Sequence, residues 1–176
     1  MRPRLRYDRT GKSTLTSKLS DHFDTPSLEL GDYVRSRQAV DARLSSHTST
    51  AYEQLRVMNG REAITGWILG HHYWKVVISG VRDAEIFAAL QMTYQSAFCI
   101  WVESPIAARQ HRPRRRGALE LCLEDDDRIQ RGWGIEEIRG SADLIITNDS
   151  SLSSYLCAID AVAIPTVKRF LSEEIG

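Results

Sequence analysis

The chain has 176 residues, 42% of them hydrophobic and 26% charged, which is the length and apolar content of one globular domain with a sizeable core. Its 23 basic and 23 acidic side chains cancel, excluding any general attraction to nucleic acid or an anionic membrane. No run approaches the roughly 20 apolar residues that span a bilayer, the N-terminus lacks the apolar core of a secretory signal, and Cys99, Cys122 and Cys157 show no Cys-x-x-Cys spacing, so the expectation is a soluble, cytoplasmic protein with reduced thiols.

Short β-branched runs alternate with longer segments of helical period, the pattern of a parallel sheet covered by helices on both faces. In chain order, Lys12 to His22 reads as a helix, Ser27 to Leu30 as a strand, and Asp32 to Leu44, Tyr52 to Met58 and Glu62 to His72 as helices. Lys75 to Ser79 is a strand, Asp83 to Leu90 a helix, Ala97 to Val102 a strand and Pro105 to His111 a helix. Asp143 to Thr147 is the last strand, and Leu152 to Leu171 is a helix that Pro165 is expected to kink or interrupt. Such sheets bind ligands beyond the carboxyl ends of their strands, so functional residues are expected just after each run.

The first such position is Gly11-Lys12-Ser13-Thr14, followed by a helix with Leu15 and Leu19 on one face. It matches the second half of a phosphate-binding loop: backbone N–H groups at the helix start face phosphate oxygens, Lys12 bridges the β and γ phosphates, Ser13 ligates Mg²⁺, and Thr14 reaches the α phosphate. The first half departs from the motif. Arg6 stands where a glycine is expected, the intervening loop reads Tyr7-Asp8-Arg9-Thr10, and Met1 to Leu5 replaces an apolar first strand with Met-Arg-Pro-Arg-Leu. An altered start of the coding sequence, lost ATP affinity and a differently shaped phosphate loop all account for this.

After the second run comes Leu30-Gly31-Asp32-Tyr33-Val34-Arg35, where Asp32 is expected to cap the helix and Arg35 to grip a phosphate through its planar guanidinium. After the third comes Ser79-Gly80-Val81-Arg82, which aims Arg82 at the same phosphate. Arg35 alone reads equally as a surface ion pair.

These segments resemble nucleoside monophosphate kinases, and more closely the adenylate kinase-like and dephospho-CoA kinase-like P-loop ATPases, over most of the chain. The resemblance implies a three-layer α/β P-loop NTPase fold with about five parallel strands and one domain over 1–176, with acceptor-binding helices at about 31–72 and an arginine-rich lid at about 109–128. It implies ATP and Mg²⁺ as cofactors and a small phosphorylated nucleotide as substrate, held by Asp32, Arg35 and Arg82. Arg109 and the cluster of Arg112, Arg114, Arg115 and Arg116 then form the lid, with Lys12, Arg82, Arg109 and Arg116 stabilising the transferring phosphoryl group. Asn148 and Asp149 are candidates for the adenine edge, against a plain role in a turn capped by Ser150 or Ser151. Ser79 stands where the family carries the aspartate that organises Mg²⁺ through water.

Two functions follow: phosphoryl transfer from ATP to a nucleoside monophosphate or similar molecule, or a catalytically impaired homologue that binds a nucleotide or a protein partner. Nucleic-acid binding is weakest, because neither basic cluster is interleaved with aromatics. His71 and His72 face different sides of a helix and read as structural. The four tryptophans read as packing residues, and Arg56 and Arg61 as either acceptor contacts or surface charges. The acceptor and the oligomeric state, a homo-oligomer included, stay open.

Overall fold

Four short strands carry the β-branched runs: β1 (Ser27–Glu29), β2 (Val77–Ser79), β3 (Ile100–Glu103) and β4 (Leu144–Thr147). The computed structural model describes residues 10–94, 96–105, 107–108 and 128–173, and at position 59 the backbone alone. Strand β1 pairs in parallel with β2, Ser27 opposite Val77 and Glu29 opposite Ser79. Strand β3 pairs in parallel with β4, Ile100 opposite Leu144 and Glu103 opposite Thr147. Among the described residues the expected sheet of about five strands is therefore two parallel pairs. The segment Met1 to Leu5 lies outside the described residues.

The strands are shorter than their apolar runs because flanking backbone bonds elsewhere. The Lys75 carbonyl accepts from the Thr25 hydroxyl, and the Lys75 amine reaches the Phe23 carbonyl, which ties this stretch to a helix end rather than to a ladder. At Cys99 the N–H donates to the Asp143 carboxylate at 2.7 Å, so the β3–β4 register starts one residue later. At the other end, Leu30 already belongs to a helix.

Helix α1 (Lys12–Phe23) buries Leu15 and Leu19, as their spacing predicts. Helix α2 (Leu30–Val40) starts at the strand end, two residues before the expected Asp32. Asp32 consequently lies inside the first turn and not at the N-cap, which is Glu29; its carboxylate takes the Arg35 guanidinium at 2.8 Å. Helix α3 (Thr48–Leu69) joins two expected helices across Gly60, whose φ of 71° and ψ of 167° break the helical path in a region nearly closed to other residues. Helix α4 (Ala84–Thr93) is capped by Asp83, which accepts from the N–H groups of Glu85 and Ile86. A helical turn at 128–131 precedes α5 (Ile135–Gly140).

The C-terminal segment runs as α6 (Leu152–Ala158), capped by Ser151, then a π-helical stretch (Ile159–Ala163) and α7 (Ile164–Glu173). The α-helix is thus interrupted just ahead of Pro165, as the sequence led one to expect. Pro165 lacks an N–H, and its ring crowds the preceding turn; the wider π winding, in which the Ile164 N–H bonds back to the Ile159 carbonyl, relieves both.

Two apolar cores result. One gathers Leu28, Leu30, Val34, Leu55, Ile64, Ile68, Ile86 and Trp133 among β1, α2, α3 and α4. The other gathers Leu15, Leu19, Ile146, Tyr155, Ile159 and Ala163 between α1, β4 and the C-terminal helices. Trp133 and Trp67 pack against the first core, whereas Trp74 is 90% exposed, contrary to the packing role read from the sequence. No described helix is long and apolar enough to cross a membrane.

Leu55, 2% exposed on α3, carries much of the first core. Leu55→Ala is expected to lower the unfolding free energy by about 2–5 kcal/mol in urea denaturation. A loss below about 1 kcal/mol would show that α3 does not pack as described.

Candidate functional site

The loop entering α1 is held from two distant points in the sequence. Asn148, just beyond β4, donates its side-chain amide to the Thr10 carbonyl at 2.9 Å. Tyr155 donates its buried hydroxyl to the Gly11 carbonyl at 3.2 Å. Gly11 sits at φ 91°, and a Cβ there would collide with the Asn148 amide and the Tyr155 ring, so glycine is required by both conformation and space. The Gly11 carbonyl also accepts from the Thr14 and Leu15 N–H groups as α1 begins. Lys12 and Ser13 thus open a helix, at the end where its dipole is positive. The Lys12 amine rests 2.9 Å from the Thr10 hydroxyl.

Asn148 is itself fixed. Its N–H donates to the Glu103 carbonyl at 2.7 Å, and its carbonyl accepts from the Ser104 hydroxyl at 2.8 Å. At 6% exposure, Asn148 supports the loop through the bond from its side-chain amide to the Thr10 carbonyl. Ser151 supplies the helix cap by accepting from the Ser154 N–H.

A cavity of about 900 Å³ opens beside this loop, and its volume lies within the range of small-molecule sites. Thr10 and Lys12 line it on one side and Ser79, Gly80, Val81 and Arg82 on another, with Glu103 and Ser104 between. The ends of β2 and β3 therefore meet at the mouth where α1 starts. Arg131 and Arg139 line the same cavity, and Arg139 pairs with Glu103 at 3.1 Å. Sequence reasoning passed over these two arginines, which lie in helical segments without a motif around them.

Arg35, on the second turn of α2, does not line this cavity. A Cβ at Gly80 would touch Leu30 and Glu29, and Glu29 lies 3.3 Å from the Arg35 guanidinium. Burial opposes the charge on Arg35, but the Asp32 hydrogen bond and the Glu29 carboxylate outweigh it and raise the pKa. Its Nε is buried and lacks a hydrogen-bond partner among the described residues. Arg82 thus lies on the cavity wall, while Arg35 is linked to the Gly80 turn only through Glu29, which the sequence did not single out.

Arg56 and Arg61 do not sit as independent surface charges. Both turn to Asp83, 1% exposed, which takes Arg61 Nε at 3.1 Å and Arg56 at 3.5 Å while capping α4. Arg56 also pairs with Glu53, and Glu53 accepts from the Trp133 indole N–H. Burial, then the nearby Asp83 charge, push the Tyr52 hydroxyl well above the ordinary tyrosine range. An aspartate ahead of Ala84-Glu85-Ile86 is a legible helix-start signal. That two arginines from α3 converge on it is not.

His71 bonds to the Trp67 carbonyl, and no group of metal-ligating side chains occurs among the described residues. The lid positions Arg109, Arg112, Arg114, Arg115 and Arg116 lie outside the described residues, as does Cys122.

No protein-family model matches the chain, and no curated protein matches it. Among solved structures it is similar to the crystal structure of shikimate kinase from Aquifex aeolicus vf5, at a TM-score of 0.56 and 16% identity over 90% of each chain. That likeness establishes an α/β fold similar to that of a P-loop kinase.

Removing one partner of a buried charge cluster leaves the others uncompensated, so Asp83→Ala is expected to cost about 3–5 kcal/mol in denaturant unfolding. A cost under about 1 kcal/mol would show that Arg56 and Arg61 are satisfied without it.

Proposed function

We propose that the chain transfers the terminal phosphoryl group of ATP to a small phosphorylated acceptor of the nucleoside monophosphate type. The observation that carries this reading is the single cavity lined by Lys12 at the α1 N-terminus and by the Gly80-Val81-Arg82 turn at the end of β2. One side suits the donor's phosphates, the other an acceptor's.

In this reading the first-turn N–H groups of α1 receive the donor phosphates, with Thr14 near the α phosphate and Lys12 spanning β and γ. Asn148 and Tyr155 hold the loop in that shape through Thr10 and Gly11. Arg82 and Arg35 hold the acceptor's phosphate, with Asp32 and Glu29 keeping Arg35 in place. An acceptor oxygen attacks the γ phosphorus, the bond from that phosphorus to the β,γ-bridging oxygen breaks, and ADP leaves with the electron pair. The protein contributes by alignment and by placing cations where negative charge gathers.

The residues fit Mg²⁺ only as an ion carried mainly by phosphates and water, which is its usual habit. Ser13 offers a hydroxyl at the head of α1, and Glu103 offers a carboxylate on the cavity wall. When bound there, the ion would neutralise charge on the β and γ phosphates.

Ser79 at the end of β2 favours a second reading, because a hydroxyl there organises a hydrated cation less strongly than a carboxylate. Under it the chain binds nucleotides through the same residues without turnover.

The test is an ADP-release assay with ATP, Mg²⁺ and a panel of nucleoside monophosphates and dephospho-CoA. Turnover is expected with one acceptor, and Lys12→Ala is expected to lower it about 100-fold or more while the circular dichroism stays unchanged. Equal turnover in Lys12→Ala would overturn the assignment. Saturable binding without turnover would select the second reading.

A further inference from the structure

Arg82 and Arg131 both line the cavity, one from the turn after β2 and the other from the helical turn that precedes α5. A single carboxylate on α3 is tied to both segments. One oxygen of Glu53 accepts from the Arg56 guanidinium at 2.9 Å, and Arg56 reaches on to Asp83, the residue after Arg82. The other oxygen accepts from the indole N–H of Trp133, which closely follows Arg131 in the chain.

Both ends of this link are fixed. Asp83 caps α4. The Trp133 carbonyl accepts from the Ala84 N–H at 2.9 Å, and the Trp133 ring lies 4.6 Å from the Tyr52 ring. Gly134, at φ 78°, lets the turn press against the start of α4, because a Cβ there would stand 2.8 Å from the Ala84 Cβ. Apolar packing of this kind holds a ring in place but tolerates tilting, whereas a hydrogen bond to a charged acceptor is short and directional. Glu53 therefore adds orientation to a contact that packing already supplies. Its side chain is 38% exposed, and without it Arg56 still has Asp83, so the core does not depend on this carboxylate.

We infer that Glu53 is a positioning residue, which sets the separation of Arg82 and Arg131 so that one phosphorylated acceptor meets both guanidinium groups. This rests on the phosphoryl-transfer reading, in which the Gly80-Val81-Arg82 side of the cavity takes the acceptor. Charge-assisted hydrogen bonds from two guanidinium groups to one ligand need each group held within about 0.5 Å of its productive place. Arg82 is held through the residue that follows it and Arg131 through the turn that it opens, and both holds converge on one side chain. Losing Glu53 frees these two segments to shift against each other, while the Gly11 loop keeps its own anchors at Asn148 and Tyr155. The effect is thus confined to the acceptor.

The experiment compares the full chain with Glu53→Ala and with Trp133→Phe, which keeps a ring against Tyr52 and removes the indole N–H. Hydrogen exchange is read at the Ala84 amide, and calorimetry measures the affinities for ATP and for AMP, GMP, CMP, UMP and dephospho-CoA. Both variants are expected to keep the wild-type circular dichroism and to exchange the Ala84 amide at least about threefold faster. Each is expected to bind the acceptor that wild type binds at least about tenfold more weakly, with ATP affinity changed by less than about twofold. An equal loss for ATP would overturn the inference, because it marks general loosening, and so would an Ala84 amide that exchanges at the wild-type rate in both variants. A wild type that binds none of these acceptors overturns the phosphoryl-transfer reading and the inference with it, whereas wild-type binding that both folded variants retain overturns the inference alone. Should Glu53→Ala not fold, Trp133→Phe decides by the same readouts.

Discussion

The site depends on a tether that spans most of the sequence. Asn148 and Tyr155 hold the carbonyls of Thr10 and Gly11 from positions 138 and 144 residues away, and both side chains are buried. The loop is therefore anchored through its carbonyls. Gly11 makes this possible because it alone fits the left-handed turn against the Tyr155 ring. The same Asn148 is bonded to Glu103 and Ser104 at the end of β3, so the loop, β3 and β4 share one anchor.

The second wall of the cavity is set by a different device. Glu29 ends β1, Gly80 follows β2, and the two meet where α2 begins, with Arg35 paired to Glu29 there. Behind them Asp83 joins α4 to α3 through Arg56 and Arg61, with Glu53 and Trp133 extending the network. The Asp83 carboxylate, 1% exposed, is surrounded by two guanidinium groups and two backbone N–H groups. The Gly11 loop thus rests on neutral hydrogen bonds, and the segment behind Gly80 on a buried ion-pair network.

Much of this was legible in the residues. Leu15 and Leu19 gave the buried face of α1, the β-branched runs gave all four described strands, and Gly60 gave the break in α3. Gly11 to Thr14 marked the start of the site because that pattern has few uses other than binding phosphate. What escaped was long-range partnership. Asp32 read as a cap because caps follow from local sequence, but α2 begins at Leu30 and leaves the carboxylate to Arg35. The bond from the Asn148 amide to Thr10, 138 residues away, left no local mark, and neither did the π-helical form of the interruption ahead of Pro165.

The most direct measurement is a calorimetric titration of ATP into the full chain with Mg²⁺, repeated with inorganic tripolyphosphate and with Asn148→Ala. If the Gly11 loop is a phosphate site held in shape from below, both ligands bind saturably at one site. Asn148→Ala then weakens both by about tenfold, or about 1.4 kcal/mol, while the protein stays folded. Folded wild-type protein that binds neither ligand, or an Asn148→Ala variant that binds both as tightly as wild type, would contradict the account.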